Sequence, residues 1–149
     1  MKLVKESLNE VMHFERSNDP LVTLQVGRRV QIIKWLDTYE ITNYVINDDL
    51  TIDVNDDVEL NNKNLTKFPD FIKFNNVSGW FACSNNQLTS LVGCPSSVGY
   101  SFYCSFNQLT SLVGCPSSVD SNFWCRNNKV QFSEKDVKKL CKVKNDIRV

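Results

Sequence analysis

The six cysteines are the side chains best suited to chemistry, and their spacing decides which chemistry. Cys83, Cys104 and Cys125 recur at intervals of 21 residues, and Cys94 and Cys115 repeat the same interval. Zinc sites take their ligands in close pairs such as C-x2-C, and no such pair occurs. Coils stacked at this period would bring two cysteines within reach of a disulfide, but a column of three leaves one over. A ladder of small buried thiols filling a core fits the spacing better. Cysteine catalysis needs a base, and the single histidine, His13, lies near the start of the chain. Asp53-x-Asn55-x-Asp57 has the spacing that opens a calcium loop. However, Val58 stands where that loop needs glycine and Asn64 where it needs a bidentate glutamate. Asp-rich turns explain this run better. Thr89-Ser90 and Thr110-Ser111 have no base beside them, and no P-loop, G-x-S-x-G or dinucleotide glycine pattern is present. The expectation is therefore a protein without catalytic residues, metal ligands or cofactor.

The elements that carry these residues are set by a repeat. Asn86 to Val98 reads NQLTSLVGCPSSV, and Asn107 to Val119 reads the same letters. Val77, Val98 and Val119 keep the offset, as do Phe81, Phe102 and Phe123. A degenerate earlier copy begins at Val54, which places Val58 on Phe81, Leu60 on Cys83, Leu65 on Leu88 and Phe68 on Leu91. A fixed period of this length predicts a solenoid, in which each coil buries its apolar face only against its neighbours.

Alternation along a strand turns every second side chain to the same face. Phe81 and Cys83 then point inward, as do Phe102 with Cys104 and Phe123 with Cys125. Asn86, Asn107 and Asn128 fall where the chain bends out of the strand. Their amides suit the backbone groups that a bend leaves unpaired, each bond contributing roughly 1 kcal/mol. The opposite face holds Trp80, Ala82 and Ser84, then Ser101, Tyr103 and Ser105, then Asn122, Trp124 and Arg126, with Phe106 extending it. Trp, Tyr and Arg are the residues enriched in binding hot spots. Two readings of these rings stand side by side: an exposed recognition patch, or rings packed on one another or on a cap.

The strand core Phe81-Ala-Cys83-Ser-Asn-Asn86-Gln-Leu88, repeated as Phe102-Tyr-Cys104-Ser-Phe-Asn107-Gln-Leu109, resembles that of short bacterial- or phage-type leucine-rich repeats. Phe and Cys replace the usual leucines, and Val98 to Phe102 is one residue longer than the common spacing. The resemblance implies an α+β protein. Its core is a leucine-rich-repeat solenoid of short parallel strands, and the outward strand positions form a ligand-binding surface. Residues 54–132 would be the repeats, within a single domain of residues 21–149. Residues 21–53 would form an N-terminal cap, an amphipathic helix marked by Val26, Val30, Ile33 and Leu36 followed by a β-meander. In the meander, INDDLTI (46–52) echoes VNDDVEL (54–60). Residues 133–149 would be a C-terminal cap, with Ser133 and Asp136 at capping-box distance and Val137, Leu140 and Cys141 facing one side of a helix. Residues 1–20 stand apart. Val4, Leu8 and Val11 or Met12 form one helical stripe, read as a frayed terminus or a short docking helix, before Asn18-Asp19-Pro20 breaks it.

Composition limits the partners. The 149 residues suit one domain burying roughly 68–70% of its unfolded surface. With 17 basic and 17 acidic side chains, the chain lacks the basic excess of a nucleic-acid or anionic-membrane binder. No apolar run reaches the ~20 residues of a membrane span, and charges throughout residues 1–17 do not fit a signal peptide. A cytoplasmic place is expected, in the host cell or in a virion. The neutrality is nonetheless uneven. Residues 46–70 carry seven acidic and two basic groups, residues 71–125 only Lys73 and Asp120, and residues 126–149 eight basic and three acidic groups. These features favour a non-enzymatic module that binds a protein partner through the aromatic face. The alternatives are a virion or assembly component self-associating through its oppositely charged ends, and a glycan-binding module.

Overall fold

The computed structural model describes residues 18–149. The first helix among the described residues, α1 (Pro20–Thr38), starts where Asn18-Asp19-Pro20 was expected only to interrupt. Asp19 caps it by accepting from the Leu21 amide at 2.9 Å, and Pro20 takes the first turn, where its missing N–H costs nothing. Val26, Ile32, Ile33 and Leu36 are its buried stripe. Its Trp35 ring packs on Phe68 and Phe74 at 6.3 Å each. The segment proposed as a docking helix lies, but for its last three residues, outside the described residues.

Eleven short strands follow: β1 (Tyr44–Ile46), β2 (Ile52–Val54), β3 (Val58–Glu59), β4 (Phe74–Val77), β5 (Phe81–Ala82) and β6 (Ser97–Val98). They continue with β7 (Phe102–Tyr103), β8 (Ser118–Val119), β9 (Phe123–Trp124), β10 (Lys142–Val143) and β11 (Ile147–Arg148). A second helix, α2 (Glu134–Leu140), lies between β9 and β10. The strands form two sheets, ordered β1-β2-β4-β6-β8-β10 and β3-β5-β7-β9-β11. Among the described residues only β1 and β2 pair antiparallel, through a turn in which Asp49 accepts from the Thr51 amide. All other pairs are parallel. The chain is thus a parallel β-solenoid of about five turns, each contributing one strand to either sheet.

The register explains the repeat. Val54, Val77, Val98 and Val119 stack on one sheet, and Val58, Phe81, Phe102, Phe123 and Ile147 on the other. Phe81 and Phe102 stack at 5.9 Å between centroids, and Phe102 meets Phe123 at 5.1 Å. These rings are fully buried, with Cys83, Cys104 and Cys125 beside them. After the Leu-Thr-Ser-Leu segments, Gly93 (φ +102°) and Gly114 (φ +93°) turn the chain in a conformation that a side chain would strain. A Cβ on Gly114 would also strike the Leu91 backbone at 2.6 Å.

The C-terminal end differs from the expectation. Ser133 and Asp136 do form the capping box, and Ser133 hydrogen bonds hold the Asp136 carboxyl below its ordinary range. But α2 ends at Leu140, which is exposed. Cys141 is extended and buried and leads into β10, so Val137, Leu140 and Cys141 do not share a helical face. Residues 142–149 are a fifth coil rather than part of a helical cap. Val143 pairs with Val119 and Ile147 with Phe123, continuing both sheets.

Candidate functional site

Much of the repeat's polar character is consumed in joining coils. Asn107 accepts from the Leu88 amide at 3.0 Å and donates to the carbonyls of Cys83 and Cys104 at 2.9 and 3.2 Å. Asn86 does the same one coil earlier, accepting from Lys63 and Leu65 and donating to Leu60 and Cys83. Asn128 accepts from Leu109 and donates to Cys104 and Cys125, but it is only half-buried. The six cysteines are all free thiols. Burial pushes Cys115 up to about 11 and Cys125 and Cys141 up to about 12, and raises Cys94 and Cys104 well above the ordinary thiol range. A thiol held neutral in this way is a poor nucleophile and a poor metal ligand.

The Asp53–Asp57 run is likewise occupied, with the next coil and with the segment before β1. Asp53 accepts from the Asn75 side chain and the Asn76 amide, Asp56 from Asn43, and Asp57 from the Trp80 amide. Among the described residues, no three His, Cys, Asp or Glu side chains converge as a metal site would need.

The face that alternation turns outward separates into three columns. The central one runs Glu59, Ala82, Tyr103, Trp124 and Arg148 across β3, β5, β7, β9 and β11. Here the Tyr103 and Trp124 rings meet edge to face at 5.1 Å, and the Arg148 guanidinium lies 4.3 Å from the Trp124 ring centroid. Arg148 is itself steered by Asp146 at 2.8 Å. Ala82, expected on the open face, is buried, its methyl shorter than the Glu59 and Tyr103 side chains on either side.

The two flanking columns correct the expectation further. Ser101 is buried with its hydroxyl accepting from the Asn122 amide at 3.3 Å, and Asn122 accepts in turn from the Asp146 amide. Ser105 is buried and accepts from the Arg126 amide at 3.0 Å. These two serines are inter-coil ties, not a polar rim. Trp80 is 38% exposed, but it sits on the same flank as Ser101 and Asn122, one position before β5. It does not share the column of Tyr103 and Trp124.

What remains is a groove of about 400 Å³ whose walls include Ser84, Tyr103, Phe106, Trp124, Arg126 and Arg148. Two of its features are energetically unfavourable. The Trp124 indole Nε1 is buried without a hydrogen-bond partner, where a stranded donor costs ~1–3 kcal/mol. Phe106 takes a left-handed conformation (φ +55°) and is 53% exposed. The equivalent residues in the other coils, Asn62, Asn85 and Asn127, share that conformation, which asparagine tolerates and a bulky ring does not. Arg148 was not among the residues read from the sequence. Its signal was available: Val143-x3-Ile147 repeats the Val-x3-Phe spacing of Val98 to Phe102 and Val119 to Phe123.

No helix among the described residues is long and apolar enough to cross a membrane. Compared with family models, curated proteins and solved structures, the chain gave no match.

Proposed function

We propose that this protein is a non-enzymatic binding module of the leucine-rich-repeat type. It takes a segment of a protein partner into the groove beside Tyr103, Phe106 and Trp124, with the N-terminal helix and hairpin and the C-terminal helix acting as its caps. The Asn-x-Leu repeat and its asparagine ladder support the family reading. The observation that carries the function is Phe106. An exposed ring is held in a backbone conformation that costs ~1–2 kcal/mol for a residue of this kind, at a position that Asn62, Asn85 and Asn127 fill in three other coils. Local strain of this sort is retained where it serves a site. Tyr103 and Trp124 add rigid apolar area, and Arg126 and Arg148 add donors suited to carboxylates and carbonyls. The partner segment is therefore apolar or aromatic with an acidic residue beside it.

The test compares the wild-type protein with the Phe106→Asn variant as bait in the native host, reading captured proteins by mass spectrometry. The expected result is one or more proteins retained by the wild type and lost from the variant, whose melting temperature is equal or higher. Identical capture by both would overturn the assignment of the groove.

A further inference from the structure

The groove beside Phe106 runs across the coils rather than along a strand. Asn61, Ser84, Ser105 and Arg126 take the same place in four successive coils, and all of them line it. Neighbours in this column are joined. The Ser84 amide donates to the Asn61 side chain at 2.6 Å, and the Arg126 amide donates to the Ser105 hydroxyl at 3.0 Å. Each coil adds one strand spacing of about 4.8 Å, so Asn61 and Arg126 lie about 14 Å apart along the solenoid axis. An extended chain rises about 3.3 Å per residue and covers that distance in about four residues.

The two ends of the groove differ in charge. Arg126 and Arg148 stand at the last coils. Arg148 is engaged, its guanidinium on Asp146 and over the Trp124 ring. The other acidic groups of that end are engaged as well, Glu134 with Lys138 and Asp136 with Lys139. Arg126 is exposed, and its guanidinium has no acidic partner among the described residues. At the first coil, Glu59 heads the column that continues through Ala82, Tyr103 and Trp124. It is exposed, and its carboxylate accepts from the Asn61 amide at 2.9 Å, which places it at that end of the groove. Between Glu59 and Arg126 the lining carries no charged side chain. Their axial separation of about 14 Å exceeds the Debye length of about 8 Å at physiological salt, so neither charge satisfies the other. The rings lie unevenly between them. Tyr103 and Phe106 belong to the coil of β7, two steps from Glu59 and one from Arg126. These steps correspond to about three extended residues and about one to two.

We propose that the groove holds its partner segment extended along the solenoid axis and in a single polarity. An acidic side chain sits on Arg126, an apolar or aromatic one against Phe106 and Tyr103, and a basic one on Glu59. The acidic and basic residues are then about four positions apart, with the ring nearer the acidic one. Only side chains are read, so the order basic–apolar–acidic and its reverse both fit. A segment laid with its charges the other way along the axis would set its carboxylate against Glu59 and its cation against Arg126, and like charges would reject it. This inference rests on the groove being the partner site, and it adds which segments fit there.

A displayed library of random peptides, panned on the full chain, tests it. The wild type should enrich sequences with the stated spacing. Arg126→Glu should bind synthetic copies of the enriched peptides at least about fivefold more weakly, as should Glu59→Lys, with melting curves close to that of the wild type. Glu59→Gln keeps an acceptor for the Asn61 amide and should lose only the preference for a basic residue. The double variant Glu59→Lys with Arg126→Glu should prefer peptides in which the acidic and basic residues are exchanged. Enrichment without the charged pair would overturn the proposal. So would equal binding of the enriched peptides by the wild type and the double variant. Phe106→Asn separates the two layers. If it loses the enriched peptides while the charge variants keep them, the groove stands and the polarity falls. If it binds them as the wild type does, or if no peptide is enriched, the groove assignment falls and the polarity with it.

Discussion

Phe102 and Tyr103 are neighbours in β7, and their side chains serve opposite ends. The inward column, Val58, Phe81, Phe102, Phe123 and Ile147, is apolar throughout, with phenylalanine in its three central coils, each ring fully buried against the next. The outward column, Glu59, Ala82, Tyr103, Trp124 and Arg148, changes at every coil. Inside, each ring meets an apolar side chain above and below, so one shape solves the packing through the central coils. Outside, no neighbouring coil imposes a shape. The residues are free to differ, and they differ toward aromatic and cationic types at the C-terminal end. Uniformity marks what the solenoid requires, and variation marks where something else can be recognised.

That contrast can be broken experimentally. Phe102→Ala should lose about 3–5 kcal/mol of stability through the cavity it leaves, whereas Tyr103→Ala should lose only about 1 kcal/mol, the worth of its ring pair with Trp124. Equal losses in thermal melts would mean that the outward column is also core. Asn107→Ala strands the Leu88 amide and two carbonyls and should cost about 2–4 kcal/mol. Asn128→Ala, half-exposed, should cost about 1 kcal/mol. Denaturant titration of the two variants would measure the difference.

The inner thiols give the contrast a pH signature. An unfolded cysteine ionises near pH 9, while burial raises Cys115 to about 11 and Cys125 and Cys141 to about 12. A raised folded value means that the folded state holds the proton longer. The stabilisation is complete below about pH 9 and is lost as the pH rises through about 11 to 12. Stability measured from neutral to alkaline pH should fall in that window, and more shallowly for Cys125→Ala. The smallest effect belongs to the outer face. Phe106→Asn should raise stability by about 1 kcal/mol by relieving the left-handed ring while partner binding is lost. A variant less stable than the wild type would show that Phe106 contributes to packing rather than recognition.

The stacking of coils was legible in the sequence because it depends on periodicity. Identical letters at a fixed offset, from Asn86 to Val98 and from Asn107 to Val119, can only share a core if they stack. The last coil was harder to read. Helix α2 stretches the spacing, so that Val143 lies 24 residues after Val119 instead of 21, and the Asn-x-Leu signature is absent. Only the Val-x3-Ile spacing and the β10 and β11 pairings remain. The outward face was legible as alternation but not as accessibility. Alternation gives the direction of a side chain. It does not tell whether a hydroxyl such as that of Ser101 or Ser105 is held by the next coil, or whether a methyl such as that of Ala82 is overtopped by its neighbours.

The amino-acid sequence by itself determined the period, the inward columns of valine, phenylalanine and cysteine, the asparagine ladder and the division of charge along the chain. Each of these follows from local geometry repeated at a fixed interval. Only the tertiary structure decided that Arg148 lies over Trp124, that Trp80 stands apart from that pair, and that the charge division is an axial one. These depend on which residues of different coils come side by side. That is set by the register and by where the stacking stops, and neither is contained in any single repeat.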